Sequence, residues 1–191
     1  MKLARRQPMS LDAFLAREEA QTLRYEYDGL RPTAMNGGTS AHSLIQARRT
    51  VALTTRLRGK PCRFHGSAMK IEVAGSVRYA DGFVVCTAQA ADSRIVRDPV
   101  VMVSILSEST ARADLGVKNR EYEATVPVHR YVILERDQVA GTMFERIDND
   151  WVGPILRADA LLHMPEIGVD VPLADFYVDV AFPDQPQGTE P

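Results

Sequence analysis

Asp81 and Lys118 are the side chains whose types and placement first suggest chemistry. Asp81 stands where an apolar, strand-like run begins (Gly82, Phe83, Val84, Val85, Cys86). Lys118 lies one turn into a helix that follows the next apolar run. A carboxylate at a strand end beside a helix-borne lysine suits a divalent metal and a positioned water. The metal takes oxygen ligands, and its charge offsets the anion that builds up on a phosphate. The lysine orients or helps to deprotonate the attacking water, or neutralises the transition state. A plainer reading uses the same residues. Asp114 and Lys118 are four apart, the spacing of a surface ion pair on a helix contributing about 0.2–0.5 kcal/mol.

The elements that must position these groups are legible in outline. Ser10 can cap a helix over 11–19 with Leu11, Phe14 and Leu15 as its apolar stripe. Residues 22–27 and 30–35 flank Asp28-Gly29 and predict a hairpin. Thr39 or Ser40 caps a second helix to about Leu57, with Leu44, Ala47, Val51 and Thr54/Thr55 on one face and Arg48, Arg49, Arg56 and Arg58 mostly away from it. Short extended pieces follow at 62–65, 69–73 and 77–79. The runs 82–87 and 99–106 are nearly all apolar, as in strands covered on both faces. The polar break Ser107-Glu108-Ser109-Thr110 leads into the helix with Asp114, Lys118 and Tyr122 four apart. Strands are expected again at 130–134, 142–147 and 151–156, the last two pairing across Asp148-Asn149-Asp150. A short extended or helical segment closes the chain up to Val180. Central strands flanking a helical crossover predict a mixed sheet with helices packed on it, an α/β (α+β) domain.

Composition narrows the function. The chain has 191 residues, 45% hydrophobic, enough for one domain over 1–181, with 182–191 as a Pro-rich disordered tail. A net charge of −2 leaves a local nucleic-acid patch open. No run approaches the roughly 20 apolar residues of a membrane span, and Met1-Lys2-Leu3-Ala4-Arg5-Arg6 lacks the apolar stretch of a secretory signal, so a cytoplasmic location is expected. Cys62 and Cys86, each among apolar residues, read as buried reduced thiols. His42, His65, His129 and His163 have no metal-ligand spacing and read as packed or surface histidines. Ser107 and Ser109 lack an assigned base and read as caps, and no Gly-Lys-Ser/Thr follows Gly37-Gly38 to make a phosphate loop. Arg48, Arg49 and Arg56 can line a nucleic-acid backbone, or form a solvated helix face.

A set of ordered strings adds to this reading: Arg24-Tyr25-Glu26-Tyr27-Asp28-Gly29, His42 at a helix start, Gly66-Ser67-x-Met69-Lys70, Arg78-Tyr79-x-Asp81, Leu106-Ser107-x-Ser109-Thr110, and Asp114, Lys118 and Tyr122 before Arg130-Tyr131-Val132. None is specific alone. Their order and spacing over about residues 9–180 resemble the Uma-type putative restriction endonuclease family, a bacterial branch of the PD-(D/E)xK nucleases. The resemblance implies a restriction-endonuclease-like mixed β-sheet flanked by α-helices and hydrolysis of nucleic-acid phosphodiester bonds with Mg or Mn. It implies Asp81 as a metal-binding aspartate, Lys118 as the catalytic lysine, and Glu26 as an acid that completes the catalytic and metal site.

The chain departs from that pattern at Ala80, where the family has Pro, and at Ala68, where many members have an acid. The largest departure is Ser104-Ile105-Leu106-Ser107 in place of Glu-Val-Leu-Ser, which puts a hydroxyl at the second metal-binding acid. A neutral hydroxyl is a poor ligand for a hard dication. Glu108 has the right parity but lies about 13 Å along a strand, and Glu72 sits on an expected neighbouring strand. The expected function is a metal-dependent endonuclease, degenerate at this position. The alternatives are an inactive nuclease-fold module binding nucleic acid (DNA first) or protein, and a homodimeric scaffold using an exposed sheet edge.

Overall fold

The computed structural model describes residues 9–35, 38–107, 113–148 and 150–182. The Ser10 hydroxyl accepts the Ala13 amide and starts α1 (Leu11–Glu19), supplying one of the acceptors a helix start lacks. The expected hairpin follows as β1 (Tyr25–Tyr27) and β2 (Pro32–Ala34). Its turn passes through Gly29 at φ +86, an angle glycine adopts without steric penalty. Thr39 caps α2 (Ser40–Arg56) by accepting the His42 amide.

Then come β3 (Arg63–Gly66), β4 (Lys70–Val73), β5 (Ser76–Arg78), β6 (Gly82–Val85), β7 (Ile95–Val96) and β8 (Pro99–Ile105). A π-helical turn, Ala113–Lys118, runs into the short helix α3 (Asn119–Glu123). The chain continues through β9 (Arg130–Leu134), β10 (Gly141–Ile147), β11 (Asp150–Val152), β12 (Ile155–Leu156), β13 (Leu161–Met164) and β14 (Val169–Pro172) to a 3-10 turn at Leu173–Phe176.

The larger sheet is mixed. It runs β11-β10-β9-β8-β6-β3, with β8 and β9 parallel and the other neighbours antiparallel. A second sheet runs β2-β1-β5-β4-β7, and β13 and β14 form a separate ribbon. Strand alternation sorts the core. Val101, Val103 and Ile105 of β8 share a cluster with Ile45, Leu53, Leu162 and Phe176. Met102 joins Ile71, Tyr122 and Tyr131 in another. Helix α2 and the ribbon thus cover one face of the larger sheet, and α3 with part of the second sheet the other. The mixed α+β class and the nearly all-apolar central strands stand as expected.

Three expectations are corrected. The buried stripe of α2 is Ile45, Arg49, Ala52 and Leu53, whereas Leu44 and Val51 are exposed. The helix after β8 is shorter than its four-residue spacing suggests and begins as a π turn. Cys62 and Cys86 are joined in a disulfide. Arg63 faces Val85 across β3 and β6, so the cysteines lie one step further along the same antiparallel register. Among the described residues, no helix is long and apolar enough to cross a membrane. Glu108, Ser109 and Thr110, the dipeptide Asn36-Gly37, and the expected tail beyond Phe182 lie outside the described residues.

Candidate active site

Asp81 sits in the bend between β5 and β6. Gly82 pairs with Val103, so the next step of that register sets Asp81 beside Ser104 and Ile105 at the end of β8. Its Oδ2 accepts the Ile105 amide at 2.7 Å. Its Oδ1 meets His42 Nε2 at 3.0 Å and accepts Gln46 Nε2 at 2.9 Å. Arg49, the third member of that α2 face, donates Nη2 to the Asp81 carbonyl oxygen at 2.6 Å. Burial alone would raise the Asp81 pKa, but His42, the Ile105 amide and the Arg49 charge outweigh it, and the carboxyl is held below its ordinary value.

Arg49 is 1% exposed and its guanidinium lies over the Phe64 ring at 5.3 Å. Burial drives its pKa down to about 10, with Asp81 opposing. Gly82 makes room for this packing. A Cβ there would meet Phe64 Cζ at 2.5 Å and Arg49 Cζ at 3.0 Å.

Lys118 and Glu26 meet in a second group. Lys118 Nζ lies 3.3 Å from Glu26 Oε1 and 3.1 Å from Asp114 Oδ1. Glu26 comes from β1, accepts the Tyr79 amide at 3.1 Å and has Arg78 Nη1 at 3.5 Å. Arg78 binds Glu121 through Nε and Nη2 at 2.8 and 2.5 Å, and the Ser76 hydroxyl donates to the same carboxylate. Burial would lower the Lys118 pKa, but Glu26 and Asp114 raise it above its ordinary value, so the ammonium stays charged at neutral pH. The Asp114–Lys118 pair is buried, not a surface helix pair, with Asp114 2% exposed. The π turn carries both residues, and such turns often accompany sites.

Ser104 is the residue that the β6–β8 register sets beside Asp81. Its Oγ accepts the Tyr131 hydroxyl at 3.0 Å, and Tyr131 packs edge-on against Tyr122 at 4.6 Å. Burial pushes both phenols far above their ordinary pKa, with Asp114 and Asp81 adding to the effect on Tyr131. Tyr122 Oη is buried and has no hydrogen-bond partner among the described residues.

The structure thus sets Asp81 beside Ser104, and Lys118 against Glu26. Other candidates lie elsewhere. Arg49 faces inward, and its burial corrects the expectation that it lines a nucleic-acid backbone. Arg48 pairs with Asp179 and donates to the Val178 carbonyl at 3.0 Å. Arg56 binds Asp175 at 2.5 Å and the Asp170 carbonyl at 3.0 Å. Glu72 pairs with Arg97 at 2.8 Å in the second sheet. His42 is packed on Asp81. Gln46, Arg78 and Glu121 were not singled out as site residues. Gln46 was findable from its i, i+4 relation to His42, and Glu121 from its i, i+3 relation to Lys118.

The donor set does not fit a divalent metal in this arrangement. A hard dication needs several carboxylate oxygens turned to one point, with no cation standing between them. Both oxygens of Asp81 already take N–H donors, and both of Glu26 face cations. Among the described residues, no three His, Cys, Asp or Glu side chains stand together as a metal-holding group. What remains is a partly accessible polar cluster, with the Asp81 side chain 20% exposed and that of Glu26 16%.

The fold is similar to a crystal structure described as a putative nuclease belonging to DUF820 from Anabaena variabilis. The TM-score is 0.74 at 14% identity, covering 90% of this chain and 98% of that one. At that identity the likeness is one of fold. In sequence, the chain is 27% identical over 178 residues to the uncharacterized protein slr1290 of Synechocystis sp., which spans 91% of this chain and 94% of that protein. Residues 11–173 match the Uma2 family, described as "Putative restriction endonuclease", and with that much of its length matched the chain belongs to that family.

Proposed function

We propose that this chain is a nuclease-fold protein that engages nucleic acid, DNA first, and in which metal-dependent phosphodiester cleavage is degenerate. Family membership supports the nucleic-acid part, as does the description of the structural neighbour as a nuclease. The observation that carries the degenerate part is the hydroxyl pair at the end of β8. Where the resemblance calls for a carboxylate, Ser104 binds Tyr131. A neutral oxygen there supplies no charge to offset dehydration of Mg or Mn. Asp81, Glu26 and Lys118 are the residues to which the resemblance gives the other catalytic roles, but their charges answer one another and the neighbouring side chains.

The test is nicking of supercoiled plasmid in Mg and in Mn by the natural chain beside Ser104→Glu, with DNA binding followed by gel shift across a salt series. The natural chain should shift DNA with salt-sensitive affinity and nick only at trace rates, while Ser104→Glu should nick. Rapid nicking by the natural chain, abolished in Lys118→Ala, would show an intact enzyme and end the proposal.

A further inference from the structure

Among the described residues, Glu26, Asp114 and Glu121 form one ion-paired group, and Asp81, on the Ile105 amide at the end of β8, belongs to a second. Three permanent cations are set among them. Arg49 lies on Asp81, Arg78 bridges Glu26 and Glu121, and Lys118 bridges Glu26 and Asp114. His42 makes a further contact to Asp81. Taken together and among the described residues, the two groups therefore carry one net negative charge with His42 neutral and none with His42 protonated. These cations are held in place, the side chains of Arg78 and Lys118 being 8% and 9% exposed.

We infer that these two groups are closed by their own cations and take no divalent metal, so that nucleic-acid binding by this chain is indifferent to Mg or Mn. The second half rests on the proposed function; the first does not. Two physical arguments carry it. An ion entering at Oδ1 of Asp81 would displace His42 or Gln46, leaving a donor unpaired in a mostly buried site, which is costly, and Oδ2, which already takes the Ile105 amide, offers it a single remaining lone pair. The charge that would draw a dication in is already answered by guanidinium and ammonium groups fixed in the fold. Position 104 sets this balance. One added carboxylate beside Asp81 raises the net negative charge by one, in a place where the Tyr131 hydroxyl offers a donor to only part of it.

Mn(II) titration, with free Mn followed by electron paramagnetic resonance, tests the inference on the full chain. The natural protein should show no saturable site in the submillimolar range, and Ser104→Glu should gain one site per chain, at least about tenfold tighter. Ser104→Asp places the same charge on a shorter stem if circular dichroism shows the Glu variant unfolded. One Mn per natural chain, lost in Asp81→Asn, overturns the inference, as does a folded acidic variant that gains nothing. Gel shift of duplex DNA in EDTA and in Mg at matched ionic strength tests the second half. Equal affinity is expected, and a gain of more than about tenfold in Mg refutes it. Absence of any shift in either buffer would remove the nucleic-acid reading itself, while the Mn result stands separately.

Discussion

Asp81→Asn separates a carboxylate built into the fold from one waiting for a cation. In the natural chain Oδ1 meets His42 at 3.0 Å and Gln46 at 2.9 Å, and Oδ2 accepts the Ile105 amide at 2.7 Å. Asparagine has one acceptor oxygen and one donor group. Turned one way, its NH2 faces the Ile105 amide; turned the other, it keeps that bond only if Gln46 flips its amide or His42 changes tautomer, and the charge that held both is gone. A hydrogen bond to a charged group contributes about 1.5–3 kcal/mol, and a buried donor left unpaired costs about 1–3 kcal/mol. The variant also deprives the fully buried Arg49 of its nearest opposing charge. With the side chain 20% exposed, water relieves part of this, and the net loss should be about 2–4 kcal/mol. At about 2–4 °C per kcal/mol for a chain of this length, Tm should fall by roughly 4–16 °C.

Urea unfolding at neutral pH, in EDTA, is the assay, with a pH series as its internal control. The folded Asp81 carboxyl is held below the ordinary 3.8 because its hydrogen bonds and the nearby charges outweigh burial. A group with a depressed folded pKa contributes fully above its unfolded value, and the contribution fades as pH falls through the lowered folded value. The gap between the natural chain and Asp81→Asn should therefore be constant above about pH 5 and narrow below pH 3.8. An Asn variant as stable as the natural chain, or more so, would refute the reasoning. That outcome would mean Asp81 sits in uncompensated negative charge, as in a site built around a dication.

Other perturbations probe the same framework. Gly82→Ala would put a Cβ 2.5 Å from Phe64 Cζ and 3.0 Å from Arg49 Cζ; a loss of about 1–3 kcal/mol by denaturation is expected, as for other overpacked positions. Lys118→Met leaves Glu26 and Asp114 without their shared cation, and breaking a buried pair from one side should cost about 3–5 kcal/mol in urea; a change within 0.5 kcal/mol would mean the contacts carry no energy. The disulfide closes a loop of sequence separation 24. The paired Cys62→Ala/Cys86→Ala variant should lose about 3–4 kcal/mol relative to the oxidised chain, and thiol counting in denaturant without reductant should find no free cysteine.

The outline of the fold was legible because its signals are local. Ser10 and Thr39 announce helix starts by their side-chain oxygens, Asp28-Gly29 announces a turn, and the runs at β6, β8 and β9 are too apolar to lie at a surface. The inward face of α2 was not legible. A stripe through Leu44, Ala47 and Val51 obeys the helical period as well as the true one through Ile45, Ala52 and Leu53, and the true one contains Arg49. Only the tertiary partners decide between them. The Asp81 carbonyl, the Phe64 ring and the space left by Gly82 make an arginine acceptable inside, and none of these adjoins it in sequence. The disulfide was missed for a similar reason. Two cysteines 24 apart become neighbours only once β3 and β6 pair.

Position 104 shows how far sequence could reach into the site. Ser104 is the one hydroxyl in an otherwise apolar strand interior, and a buried hydroxyl needs a hydrogen-bond partner. The parallel register sets Met102 against Tyr131 and Ser104 against Ile133. A tyrosine two positions along the neighbouring strand, on the same face, can lay its hydroxyl on Ser104, and it does. The pair satisfies both hydroxyls, which is the physical reason a serine is accommodated at this buried position. It also explains why replacing Ser104 by an acid is not a neutral reversal. The new carboxylate has to share Tyr131, stand beside Asp81, and be answered by cations already committed to Glu26, Asp114 and Glu121. A cation drawn from solvent is then the remaining way to balance it.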